Sequence, residues 1–184
     1  MAETLTSTDK TQLVELYRTT RAKTDPKYIK LLNNKLLFKL FLMGELPMGF
    51  LAGLKVKQVT AESCQINVPY KWLNKNPFRS TYFAVLAMAA EMSTGMLAMM
   101  FTKESNPSVS MLVTHLEADF VKKATGITTF TCNQGKEINA IIEKAILTGE
   151  GQNIVTESIG TNAKGEVEAR FLVQWSFKMR KSRA

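Results

Sequence analysis

One carboxylate, Glu91, stands in the middle of the apolar run NPFRSTYFAVLAMAAEMSTGMLAMMF, Asn76 to Phe101. An ionised acid among apolar neighbours is costly unless it is hydrogen-bonded, set beside a pocket or raised in pKa, and a raised carboxylate suits general-base or nucleophilic chemistry. The competing reading is structural, with Glu91 satisfied by backbone donors or by a partner Lys or Arg. Other reactive residues are sparse. His115 is the one histidine and has no evident Ser or Cys partner, so a triad is rejected. Cys64 and Cys132 lie in apolar strand-like runs without Cys-x-x-Cys spacing, which reads as buried thiols in a reducing compartment and not as a disulfide or a metal site.

The element that must position Glu91 is a helix. Pro77 pushes Asn76 toward extended geometry and Ser80 or Thr81 offers a cap, so the pattern predicts a helix beginning near Ser80. From Tyr82 onward the residues are apolar or small on every face, the pattern of a helix enclosed all round. A transmembrane segment has this length too. Here Ala, Ser, Thr and Gly dilute the hydrophobicity, and Glu91 falls where insertion of a charge costs most, roughly 2.5–3.5 kcal/mol. A core helix is therefore expected, with no transmembrane segment.

At 184 residues the chain suits one domain with a terminal extension. Its 24 Lys plus Arg against 16 Asp plus Glu, a formal charge of +8, favour polyanionic partners. The basic residues are scattered, and only Lys178, Arg180, Lys181 and Arg183 make a dense group, which reads as a solvated tail; no nucleic-acid partner is expected. The start, MAETLTSTDK, lacks the basic-then-apolar order of a secretory signal, and a cytoplasmic location is expected.

In chain order, Thr8 and Asp9 open a first helix, and Asp25 with Pro26 restarts the helical pattern. Leu36–Leu54 reads as a helix ending in a turn, interrupted by Lys39, Glu45 and Pro47. Its surplus of Leu, Phe and Met needs cover from the core, a second subunit or a lipid surface, and a second subunit is preferred. A β-hairpin follows, then the central helix, a long strand reaching Phe120, and a strand over Gly126–Asn133. A helical insertion at about 136–148 precedes a closing hairpin with Ala169, Phe171, Val173, Trp175 and Phe177 on one face. The fold class is α+β, an antiparallel sheet of about six strands wrapped around a long central helix. Residues 1–48 form a helical extension, 49–180 the main domain and 181–184 a basic tail.

This order resembles the hotdog fold of acyl-CoA thioesterases and is most similar to the phenylacetic-acid-degradation (PaaI-like) type. In that type an asparagine precedes a histidine at the helix start by six positions, and an acid follows the histidine by nine. Asn76, Tyr82 and Glu91 keep both spacings, Gly95 matches the glycine four positions after the acid, and THLEADFVKKATG, Thr114 to Gly126, resembles the strand after the helix. The similarity covers about Gly49 to Lys178. The chain departs from the type at Arg79, where the family carries glycine, at Tyr82, where it carries histidine, and at Phe83 and Ala84, where it carries a glycine pair.

The resemblance implies hydrolysis of acyl-CoA or a related acyl thioester by a homodimer or dimer of dimers, with coenzyme A as part of the substrate and no other cofactor. It implies that the backbone N–H of Phe83 stabilises an oxyanion, that Glu91 of a neighbouring subunit acts as base or nucleophile, that Asn76 orients the carbonyl or water, and that Tyr82 donates in place of histidine. On the residues themselves, small Ala87, Thr94 and Gly95 could leave room for an acyl chain and Met88 adapt to its shape, with ordinary helix packing as the competing reading; Arg79, Lys122 and Lys123 could meet the coenzyme A phosphates, with a solvated face as the competing reading. Two alternatives stand beside it. One is a non-catalytic hotdog module that binds acyl groups or a protein partner; the other is peripheral membrane contact through Leu36–Leu54 and the basic tail.

Overall fold

The computed structural model describes residues 7–180, so the tail at 181–184 lies outside the described residues. Six strands form one antiparallel sheet: β1 (Lys55–Val59), β2 (Cys64–Pro69), β3 (Val109–Phe120), β4 (Ile127–Cys132), β5 (Gln152–Thr161) and β6 (Val167–Met179), in the order β1-β2-β4-β5-β6-β3. The period-2 pattern of β6 works as its sequence requires, since Ala169, Phe171, Val173, Trp175 and Phe177 are all buried. The sheet wraps the central helix (Phe83–Thr102), which packs on β2 through β6 and has most of its residues buried. This is the hotdog arrangement. The same helix is long and apolar enough to cross a membrane, and its burial inside the sheet accounts for that composition.

The N-terminal part departs from expectation. One continuous helix, α1 (Ser7–Asn33), runs through Pro26, and Asp25 pairs with Arg21 one turn earlier at 2.5 Å in place of capping a new helix. The break comes at Asn34, whose Oδ1 accepts from the N–H groups of Leu36 and Leu37 and starts α2 (Lys35–Glu45). α2 buries only Phe38 and Leu42, leaving Leu36, Leu37, Leu40 and Met43 exposed. Then α3 (Pro47–Ala52) closes at Gly53 (φ 76), a left-handed position that favours glycine. Leu51 and Ala52 are thus helical, and the boundary expected at 48/49 falls inside α3. The central helix is α4, and the insertion is α5 (Gly135–Thr148).

α1 docks on the rest through polar and aromatic contacts. Arg18 pairs with Glu143 of α5 at 2.8 Å, the Tyr17 hydroxyl donates to Asn139, and the Arg21 guanidinium, which also contacts Asn139, lies 4.0 Å over the Phe101 ring near the end of α4. Cys64 and Cys132 face each other across β2 and β4, both buried as free thiols.

Candidate active site

The start of α4 is fixed by the loop before it. Asn76 Oδ1 accepts from the N–H groups of Phe78 (3.0 Å) and Ser80 (3.1 Å), while its Nδ2 donates to Ser80 Oγ (3.0 Å). Both ends of the amide are engaged in holding this turn. The turn carries Arg79 at φ 59, a left-handed backbone at the position where the similar family has glycine. Ser80 is consumed by Asn76, and Thr81 continues extended, with its N–H donating to Ala124 O. The helix therefore begins at Phe83, and not near Ser80. Its cap residue is Tyr82, extended at φ −61, ψ 133, with no side-chain cap.

That missing cap has a chemical consequence. Helix geometry leaves the first N–H groups without internal acceptors, and among the described residues those of Phe83 and Ala84 have no protein acceptor either. Phe83 lines a cavity of 590 Å³ together with Asn76, Tyr82, Phe120, Lys122 and Lys123, among others. A helix N-terminus with free N–H groups favours developing negative charge. The aromatic walls are ordered by contact: Tyr82 meets Phe83 edge-on at 4.8 Å, Phe83 meets Phe120 at 6.3 Å, and Phe120 meets Phe171 at 5.6 Å.

Glu91 opens into a different, smaller cavity of 220 Å³, formed by Glu45, Leu46, Met48, Met88 and Met92 with the α3 backbone. Among the described residues its carboxyl has neither an ion pair nor a hydrogen bond, and burial holds it above the ordinary carboxylate pKa. Gly95 makes room for it. A Cβ there would come within 3.0 Å of Glu91 Oε1 and 3.2 Å of the Trp175 ring. Trp175 is fixed in turn, its Nε1–H donating to Thr94 Oγ1 at 2.9 Å.

The fold thus gathers Asn76, Tyr82, Phe83, Lys122 and Lys123 around the first cavity, and Met88 and Glu91 around the second. Ala87, Thr94, Gly95 and Arg79 line neither. Gly95 leaves room for both the Glu91 carboxyl and the Trp175 ring, and Thr94 holds that ring by hydrogen bond. Lys122 is held by Glu166 at 2.7 Å, and Lys123 Nζ reaches Phe78 O at 3.4 Å. Asn74 escaped the sequence reading. Buried, it donates through Nδ2 to Ala52 O (2.8 Å) and Pro69 O (2.7 Å), and its carbonyl accepts from the Tyr82 N–H (2.7 Å). It ties α3, β2 and the start of α4 together; the only sequence signal was a second asparagine in WLNKN.

A family model described as a domain of unknown function, DUF4442, matches residues 34–176, from the Asn34 cap through most of β6. No curated protein matches the chain. Among solved structures, a Pseudomonas aeruginosa protein of unknown function described as a probable thioesterase superposes with a TM-score of 0.67 at 19% identity, covering 78% of this chain and 95% of that one. A Chlorobaculum tepidum protein of unknown function gives 0.67 at 17% identity over 88% and 98% of the two chains. A Haemophilus influenzae thioesterase gives 0.59 at 8% identity over 82% and 95%. At these identities the likeness shows the fold alone, the hotdog arrangement described above.

Proposed function

The chain belongs to the DUF4442 family, and we propose that it hydrolyses acyl thioesters such as acyl-CoA at a site completed by a second copy of itself. Within one chain Phe83 and Glu91 are eight residues apart on α4, about 12 Å along the helix axis, too far for one scissile carbonyl to meet both. They meet only across two copies. The thioester carbonyl oxygen lies at the Phe83 N–H of one copy, and the Glu91 carboxylate of the other takes a proton from water as the water oxygen bonds to the carbonyl carbon. The oxyanion then collapses, the C–S bond breaks, and the proton passes from Glu91 to the leaving sulfur. Direct attack by Glu91 on the carbonyl is the covalent variant of the same geometry.

The observation that carries this reading is the Glu91 carboxyl, desolvated, unpaired among the described residues and open to a cavity. An acid with only a structural role would be expected to have a partner. The test is thioester hydrolysis by the purified protein over a panel of acyl-CoA chain lengths, with Glu91→Gln as control. Loss of about 10²-fold or more in kcat is expected; hydrolysis unaffected by the substitution removes Glu91 from the chemistry. Tyr82, standing where the similar family carries histidine, favours the second reading of a non-catalytic acyl-binding module, and saturable acyl-CoA binding without turnover would establish it.

A further inference from the structure

A third cavity, of 420 Å³, lies between α2, α3 and β1, on the other side of Leu54 from the Glu91 cavity. Its floor is carbon: Leu32, Phe38, Leu42 and Leu54 are buried and Phe50 is half-buried. Its polar lining is cationic, supplied by Lys35, Lys39 and Lys55, with no carboxylate. Among the described residues none of these three lysines is in an ion pair. Lys39 Nζ stands 5.8 Å from the Phe50 ring centroid. Lys35 is the first residue of α2, whose first turn holds no acid, so its charge sits where the helix dipole disfavours a cation.

All three lysines are exposed and carry their charge beside an apolar trough of ligand-binding size. A neutral apolar guest would make no use of the charge, and a small anion would leave the trough unfilled. A guest with a chain and an anionic head satisfies both. We propose that this cleft binds a fatty-acid carboxylate, its chain on Phe38, Leu42 and Leu54 and its head among Lys35, Lys39 and Lys55. The choice of carboxylate over other anionic heads rests on the proposed thioester hydrolysis, which releases such an acid; the cleft itself does not.

Titration calorimetry on the full chain with decanoate, decanol and decyl phosphate tests this without any thioester present. Decanoate should bind saturably, about tenfold more tightly than decanol, and lose about tenfold in a Lys35→Gln/Lys39→Gln variant, whose exposed substitutions leave the core intact. Val56→Trp, which fills the cleft from β1, should abolish binding while circular dichroism stays native. Equal affinity for decanol, indifference to the lysine substitutions, or tighter binding of decyl phosphate would overturn the assignment. Decanoate binding by a protein that hydrolyses no thioester leaves the site and removes the proposed activity; turnover without decanoate binding does the reverse.

Discussion

At the scale of single residues the account turns on Glu91. Burial raises its pKa above the ordinary 4.5, so the folded chain binds a proton there more tightly than the unfolded chain does. The sign follows: this group's effect is neutral to folding below 4.5 and destabilising as pH rises through the elevated folded value. Glu91→Gln should therefore raise Tm at neutral pH, with the gain shrinking toward pH 4.5, and thermal melts across that range check it. In the intact protein the acid limb of kcat against pH should lie above 4.5. Arg79 makes a second prediction. Its left-handed backbone should accept Arg79→Gly within about 0.5 kcal/mol, whereas Arg79→Val should cost about 1–2 kcal/mol by chemical denaturation. The acid was legible in the sequence because a lone carboxylate in an apolar run is conspicuous. The support given by Gly95 and Thr94 was not, because the Trp175 ring they meet is about 80 residues away in the chain.

At the scale of elements, the proposed chemistry depends on the start of α4. The sequence pointed to Ser80 or Thr81 as the cap because hydroxyl residues are the usual N-caps. The Ser80 hydroxyl is taken by Asn76, and the Thr81 backbone N–H is held by Ala124 O while its hydroxyl is buried without a partner among the described residues. The helix was displaced to Phe83 and its first N–H groups left free. Proline suits the first position of a helix, and the extended Tyr82 before it is compatible with proline, so Phe83→Pro removes one N–H with little cost to the helix. It should lower kcat by about 10²-fold or more, while Phe83→Ala, which keeps the N–H, falls far less. Asn74→Ala strips donors from two carbonyls and should destabilise by about 1–3 kcal/mol, measured by urea unfolding. Pro26 misled in the opposite direction. The sequence pattern offered it as a helix start, yet α1 continues through it, with the turns before it packed on α5.

At the scale of the whole molecule, the fold was the most legible part, because alternation in β6 and the all-round apolar surface of α4 both demand a sheet around a helix. Strand order was not spelled out locally, since β3 pairs with β6 at the far end of the chain. β3 ends the sheet as an edge strand, with Leu112 66% and Leu116 42% exposed, and Phe78, Tyr82, Phe83, Phe120 and Val121 are also exposed around the start of α4. An unpaired edge with apolar flanks is the surface that the proposed pairing of two copies would use, and the separation of Phe83 from Glu91 is the reason for proposing it. The most direct measurement is complementation between Glu91→Gln and Phe83→Pro chains, each inactive alone, mixed by co-expression. If each site takes Phe83 from one chain and Glu91 from the other, random dimers should recover roughly a quarter of wild-type hydrolysis. Mixed dimers shown to form by mass spectrometry, yet no more active than either parent, would contradict a site shared between two copies.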